Sequence, residues 1–147
     1  MARTIDTAGL ALVRDCEGLR LKAYQDTSGI WTIGYGHTGV VRPGDGISAE
    51  RAEQLLKVDL ARAEQAVAGL VKVPLTDNQF SALVCFVFNV GEAAFARSSL
   101  LRKLNEGGYL LVPAYLKAWV FDNGRMLPGL VKRRAAEVAL WTARGNA

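Results

Sequence analysis

The sequence contains a single histidine, His37, and two cysteines, Cys16 and Cys85. Two cysteines are too few for a disulfide framework, and neither their spacing nor one histidine suits a zinc or histidine-rich metal site. No run of about 18 apolar residues occurs, so we expect no transmembrane helix. Residues 1–7 are polar and lack the apolar stretch of a signal peptide or signal anchor. These absences predict a protein that accumulates in the cytoplasm, without a metal site or a membrane anchor.

Half of the 147 residues are hydrophobic and 22% are charged, which is the composition of one compact domain with a core. The formal net charge of +4 favours anionic partners such as nucleic acid, a membrane surface or a cell wall. The same charge also serves solubility alone. Because the sequence has no nucleic-acid recognition motif, we expect no nucleic-acid partner.

The first third of the chain changes from helical to strand periodicity. Apolar residues at three- and four-residue steps predict a helix over residues 5–17, with Glu17 on its last turn. Alternating and β-branched residues over 19–36, divided by the turn sequence Asp26-Thr27-Ser28-Gly29, predict a β-hairpin. We expect a third short strand near residues 40–41.

The rest of the chain has the pattern of helices. Apolar stripes, caps and breakers predict helices over about residues 49–69, 76–90, 98–104, 113–121 and 128–143. The second of these begins with a capping box of Thr76 and Gln79, and it is apolar nearly all round, which indicates a buried central helix. Trp119 and Trp141 are expected in the core.

This pattern predicts an α+β, mostly α-helical fold with a small β-hairpin lobe of about residues 18–47. A helix of about residues 49–69 links that lobe to a larger helical lobe, residues 1–17 and 70–147. A cleft between two such lobes is the natural place for a polymer substrate.

Three side chains with the chemistry of glycoside hydrolysis lie near one another in the sequence: Glu17 at a helix end, Asp26 at a hairpin turn and Thr32 on the returning strand. A carboxyl at the C-terminal end of a helix faces the negative end of the helix dipole, which favours the protonated form that a general acid needs. Two carboxyls flanking a glycosidic bond are the usual equipment of this reaction, and a threonine hydroxyl can orient a water. By spacing alone, an ordinary solvated acid and a turn-forming aspartate are the more common explanation.

The segment from Glu17 to Thr38 closely resembles the active-site segment of the T4-type phage lysozymes, glycoside hydrolase family 24, and within them the lambdoid endolysin branch. Further blocks agree in the same order: residues 75–83 with 88–91, residues 95–105, and Trp119 with residues 124–134 and Glu137. Four blocks over nearly the whole chain indicate a lysozyme-like fold.

The resemblance implies an endolysin with N-acetylmuramidase activity, which hydrolyses the β-1,4 bond after N-acetylmuramic acid in bacterial peptidoglycan and lyses the host cell. Glu17 matches the family's proton donor. Asp26 matches the second carboxylate, which supports a water on the opposite face of the sugar, and Thr32 matches the residue that places this water. Such an inverting hydrolysis needs carboxyls about 6.5–9.5 Å apart. No metal or organic cofactor is implied.

The same resemblance, together with the missing export signal, predicts where the protein acts. We expect a monomer that stays in the host cytoplasm until a holin releases it, and that then acts on peptidoglycan in the periplasm.

Five further side chains are candidate substrate-binding or supporting residues: Tyr24, Tyr35, His37, Asn89 and Arg133. In the family an arginine of the last helix reaches the catalytic glutamate, and Arg133 aligns there better than Arg134; the alternative is a solvated basic run. Tyr24 and Tyr35, like Trp31, can stack on sugar rings or pack inside the small lobe. The resemblance gives His37 a structural place beside the cleft. Asn89 either bonds near Glu17 or the substrate, or is a helix C-cap.

The two cysteines have two interpretations. Cys16 directly precedes Glu17, and Cys85 lies on the buried helix. The simpler interpretation is that both are inert small apolar residues. The alternative is a redox pair that forms a disulfide near the acid once the enzyme leaves the cytosol.

Two other functions on the same scaffold compete with the muramidase. A lytic transglycosylase also needs a glutamate acid but forms an anhydro product without water, so Asp26 and Thr32 would have no task in it. A non-catalytic peptidoglycan-binding scaffold has no need of the Glu17, Asp26 and Thr32 set.

Overall fold

The computed structural model describes residues 2–144. Within this range the chain forms two compact units, residues 13–61 and residues 2–12 with 62–144. The predicted fold class is confirmed, since helices dominate and the strands form only short hairpins. Residue 1 and residues 145–147, which the sequence analysis placed in the helical lobe, lie outside the described residues.

The first helix, α1 (Thr7–Glu17), begins two residues later than predicted. Asp6 precedes it as the cap, because its Oδ1 accepts the backbone N–H of Gly9 at 2.8 Å. Glu17 is the last helical residue, as predicted, and the N–H of Gly18 closes the final turn onto the carbonyl of Arg14 at 2.9 Å.

The unit of residues 13–61 contains the predicted hairpin, β1 (Arg20–Gln25) and β2 (Trp31–Gly34). The strands are antiparallel, and Tyr24 is the register partner of Thr32. Backbone hydrogen bonds in both directions between Ile33 and His37, 2.8 and 2.9 Å long, then close a tight loop over residues 34–36.

The prediction of a third strand near residues 40–41 was wrong. Turns occupy that stretch, with Val41 N–H donating to Gly39 O at 3.0 Å and Val40 86% exposed. The other edge of β1 is instead bonded by residues 45–47, through Ala23 N–H to Asp45 O and Ile47 N–H to Leu21 O, both 2.9 Å. The alternation of apolar and polar residues in the sequence could not show which segment pairs with the edge of β1 that β2 leaves open.

The long helix α2 (Ala49–Leu70) matches its prediction. Ser48 caps it by accepting the N–H of Arg51 at 3.1 Å. Its buried stripe is spaced at three and four residues, as an amphipathic helix requires. The stripe consists of Ala52, Leu56, Leu60, Ala63 and Val67.

The second unit is built around α3 (Asp77–Val90), which has the predicted capping box of Thr76 and Gln79. Its residues from Phe80 to Val87 are all buried, and it packs against α7 (Pro128–Thr142). The shorter helices of this unit are α4 (Glu92–Ala96), α5 (Ser99–Asn105) and α6 (Val112–Lys117), of which α4 was not predicted. Trp141 is buried as expected, whereas Trp119 is half-buried with its ring edge-on to Phe86.

The predicted helix over residues 113–121 was too long. The helix α6 ends at Lys117, and β3 (Phe121–Asp122) pairs with β4 (Arg125–Met126) in a second hairpin. Asn123 and Gly124 form its turn with φ of 50° and 78°. A two-residue turn with both φ positive matches the twist of a hairpin, so the Asn-Gly pair marks a hairpin here and not a helix end.

Candidate active site

The carboxyl group of Glu17 lies against the backbone of Gly36. A Cβ added at Gly36 would lie 2.8 Å from Glu17 Oε1, and Gly36 has a φ of +78°, which side-chain-bearing residues rarely adopt. The loop of residues 34–36 therefore contacts the carboxyl at the end of α1. Glu17 itself is half-buried. This contact limits the positions that the carboxyl of Glu17 can take.

Asp26 is fixed by the turn of the first hairpin. Its Oδ1 accepts two backbone N–H groups, from Ser28 at 2.8 Å and from Ile30 at 2.9 Å. Its own N–H donates to Ile30 O at 2.9 Å. Within the described residues all hydrogen bonds of the carboxylate go to Oδ1, so Oδ2 remains to accept a proton from a substrate or a water.

Thr32 is 3% exposed, and its hydroxyl donates to Ile30 O at 2.9 Å. A hydroxyl has one proton and two lone pairs. Because that proton is committed to Ile30, the Oγ of Thr32 can meet a further polar group only as an acceptor. The backbone N–H of Ile30 thus donates to Asp26, and the backbone carbonyl of Ile30 accepts from Thr32. Both side chains are held by the same turn.

Three other predicted residues of this unit have structural contacts. His37 Nδ1 lies 2.7 Å from Asp59 Oδ2, and its backbone closes the loop onto Ile33. The guanidinium of Arg20 lies 4.4 Å from the ring centroid of Tyr24, so one face of that ring is already covered. Tyr35 is half-buried within the tight loop. A role for the two tyrosines in sugar stacking stays a prediction.

The predicted residues of the second unit belong to a buried polar cluster on α3 and α7. Arg133 donates to the carbonyl of Cys85 at 3.2 Å, and Arg134 bonds the Oδ1 of Asn89. Both arginines contact Glu137, whose carboxylate is fully buried, at 3.4 Å and 2.7 Å. The interpretation of Asn89 as a C-cap was wrong, because Gly91 holds that position. The pairing of Arg133 with Glu17 stays a prediction.

Glu137 is a member of this cluster that was not among the predicted site residues. Burial raises its pKa to about 7, against the lowering effect of Arg134 and Arg133. The i, i+3 and i, i+4 spacing on α7 brings these three side chains to one face. That spacing in the Arg-Arg-x-x-Glu sequence was the signal that could have found it.

The two cysteines differ in environment. Cys85 is buried, and its thiol donates to the carbonyl of Gly9 at 3.4 Å. Cys16 is exposed, so it is not the small core residue that the simpler interpretation required. The redox pair stays a prediction.

Across residues 2–144, no three histidine, cysteine, aspartate or glutamate side chains cluster as ligands for a metal ion. Over the same described range, none of the helices combines the length and the apolar character needed to cross a membrane.

A family model described as phage lysozyme matches residues 14–137, a span that contains Glu17, Asp26 and Thr32. The chain belongs to the phage lysozyme family. It is therefore a glycoside hydrolase of the lysozyme type, as predicted.

Relatives of this phage lysozyme domain match it over most of its length. An endolysin of Acyrthosiphon pisum secondary endosymbiont phage 1 is 48% identical over 93% of this chain and 97% of its own. An endolysin of Bacillus phage PZA is 45% identical over 95% of this chain, which spans only 55% of that relative. The muramidase domain of SpmX from Asticaccaulis excentricus superposes with a TM-score of 0.90, at 42% identity, over 97% of this chain and 99% of that one.

Proposed function

We propose that this chain is an endolysin muramidase that hydrolyses the β-1,4 bond between N-acetylmuramic acid and N-acetylglucosamine in peptidoglycan. The observation that carries the proposal is the hairpin turn in which Ile30 bonds both Asp26 and Thr32. This turn presents two hydrogen-bond acceptors from one rigid segment, and Glu17 supplies a separate carboxyl from the same unit of residues 13–61.

Glu17 acts as the general acid. Cleavage of a glycosidic bond needs a proton on the leaving oxygen, and a half-buried carboxyl can supply it. Gly36 contacts its Oε1 and limits the positions that the carboxyl can take. The bond between the anomeric carbon and the leaving oxygen breaks as that oxygen takes the proton of Glu17.

Asp26 and Thr32 position the water that replaces the leaving group. The hydroxyl of Thr32 donates its one hydrogen bond to the carbonyl of Ile30, so its oxygen accepts a hydrogen bond from the water, and Oδ2 of Asp26 accepts the other. With both hydrogens held, the lone pair of the water oxygen is directed at the anomeric carbon. Asp26 takes one proton as the new bond forms, which is the inverting route.

A lytic transglycosylase is the second candidate, because it also uses one acid. That reaction adds no water, since a hydroxyl of the muramic acid itself attacks the anomeric carbon. The paired acceptors at Asp26 and Thr32 would then have no partner, so the hairpin turn favours hydrolysis. A scaffold that only binds the wall has no use for this turn either.

The biological role that we propose is lysis of the host cell for phage release. Two of the relatives named above are endolysins, which supports this role. Action as a monomer is part of the proposal. Accumulation in the host cytoplasm, release by a holin and action in the periplasm are part of the same proposal.

The test is digestion of purified Gram-negative peptidoglycan, with the soluble products separated and weighed by mass spectrometry. We expect the parent chain to release muropeptides and Glu17→Gln to release none. Asp15→Asn is the matched control, since Asp15 is an exposed acid two residues earlier on α1, and it should behave as the parent. If Glu17→Gln released as much product as the parent chain, Glu17 would not be the general acid.

A further inference from the structure

The turn of the second hairpin is formed by Asn123 and Gly124, the one asparagine–glycine pair in the sequence. Both residues are exposed, and a Cβ added at Gly124 would have nothing within 4 Å. Asparagine before glycine is prone to deamidation, because the backbone nitrogen of the glycine can attack the carboxamide and no side chain hinders it. The open surroundings of Gly124 leave room for that attack.

The two groups that would react are not held by hydrogen bonds to the protein. Among the described residues, neither the backbone N–H of Gly124 nor the carboxamide of Asn123 has such a partner. The short turn explains this, since the ladder of the hairpin pairs the flanking residues Asp122 and Arg125 and leaves the turn residues to water. The nitrogen and the carboxamide are therefore free to approach each other.

The other asparagines that the structure describes are in a different environment. They are Asn78, Asn89 and Asn105, and each lies in a helix. The N–H that follows Asn78 donates to the hydroxyl of Thr76 at 3.1 Å, and the N–H that follows Asn105 donates to the carbonyl of Arg102 at 3.2 Å. The carboxamide of Asn89 is bonded by Arg134. Asn146 lies outside the described residues.

We propose that Asn123 is a site of spontaneous deamidation in the folded chain. The backbone nitrogen of Gly124 attacks the carboxamide carbon of Asn123 and forms a cyclic succinimide. Ammonia leaves with the side-chain nitrogen and with the proton that the Gly124 nitrogen gives up. Water then opens the ring at either carbonyl. One opening gives aspartate, and the other gives isoaspartate, in which the main chain runs through the former side chain.

The two products differ in their effect on the hairpin. Aspartate before glycine suits a two-residue turn with both φ positive, so the aspartate product keeps the turn. Isoaspartate adds a methylene group to the main chain, which a turn of this length does not accommodate. The bond from the Leu127 N–H to the Val120 carbonyl, 2.9 Å long, lies at the base of the same hairpin, next to Pro128 at the start of α7. Isoaspartate should therefore loosen the beginning of α7.

The test is prolonged incubation of the purified native chain at mildly alkaline pH, with peptide mapping by mass spectrometry at intervals. We expect the peptide of Asn123 to gain the mass difference between an amide and an acid, while the peptides of the helical asparagines stay unchanged. Asn123→Gly is the matched control, because a Gly-Gly pair also suits this turn and has no carboxamide. The same peptide of this variant should keep its mass.

Ion exchange then separates the modified chains, since each has a net charge one unit below the formal +4 of the parent. We expect the isoaspartate fraction to unfold at a lower denaturant concentration than the parent, and the aspartate fraction to unfold at the same concentration. An unchanged Asn123 after native incubation, deamidation only in denaturant, or equal deamidation of a helical asparagine would each overturn the inference. These measurements need no catalytic activity, so they are independent of the proposed function.

Discussion

Gly36 and Glu17 are in direct contact, because a Cβ at Gly36 would lie 2.8 Å from Oε1 of the glutamate. The tight loop over residues 34–36, closed by the bonds between Ile33 and His37, holds the glycine there. The carboxyl that we propose as the general acid is thus held against a backbone conformation that favours glycine. A substitution at Gly36 therefore tests the position of the Glu17 carboxyl, as a substitution of Glu17 tests its chemistry.

We predict that Gly36→Ala reduces kcat/KM on peptidoglycan by about 100-fold, since the added methyl group displaces the carboxyl. The positive φ should also lower the free energy of unfolding by about 1–2 kcal/mol. Gly44→Ala is the matched control, because Gly44 has a φ of +86° but nothing within 4 Å. It should lose similar stability and keep its activity. If both variants retain activity, the contact has no catalytic consequence.

Asp26→Asn should separate the chemical role of Asp26 from its role in the turn. The amide oxygen can still accept the N–H groups of Ser28 and Ile30, so we expect an unchanged unfolding midpoint. An NH2 group in place of Oδ2 cannot take a proton from water, so kcat should fall by about 100-fold or more. Thermal unfolding and steady-state kinetics measure the two effects. An active Asp26→Asn variant would contradict the role of Asp26 as the base.

Thr32→Val removes the hydroxyl and keeps the shape of the side chain. The bond to Ile30 O is lost from a buried site, which should cost about 1–2 kcal/mol of stability. We expect kcat to fall with little change in KM, because the proposed mechanism has the hydroxyl bind the water and not the glycan. Thr32→Ser restores the hydroxyl and should restore most of kcat. If Thr32→Ser did not restore kcat, Thr32 would act only through packing.

Glu137 predicts a pH dependence of stability. Its pKa is raised from 4.5 to about 7 in the folded chain, so between these values the native state binds more protons than the unfolded state. The free energy of unfolding should therefore fall as the pH rises from about 4.5 to 7, by up to about 3 kcal/mol. Denaturant unfolding of the parent and of Glu137→Gln, which lacks this titration, measures the difference. Stability that rises with pH relative to the variant would mean that Arg133 and Arg134 outweigh burial.

Local sequence patterns predicted most of the helices because their signals lie within a few residues. The capping box of Thr76 and Gln79 and the serine cap at Ser48 are examples, and both are present in the structure. The Asn123-Gly124 pair was misassigned since glycine after asparagine ends helices as well as turning hairpins. The strands on either side show that the pair forms a hairpin turn and not a helix end. Each strand has only two residues, which is too short for a periodic pattern to be recognised in the sequence.

The candidate site was predictable in its residues but not in its contacts. The resemblance of residues 17–38 to the family indicated Glu17, Asp26 and Thr32 by type and position. It did not show that Ile30 bonds both of the latter, or that Asp59 on α2 engages His37 from 22 positions away. Such contacts depend on how the loop returns to the helix, and no spacing in the sequence specifies that.

The most direct test of the central claim is digestion of peptidoglycan in water enriched in 18O, with mass spectrometry of the first muropeptides released. If a water held by Asp26 and Thr32 attacks the anomeric carbon, each new reducing-end muramic acid carries one 18O atom. Unlabelled anhydro-muramic ends would show instead that no water takes part, and they would contradict the hydrolytic role proposed for this site.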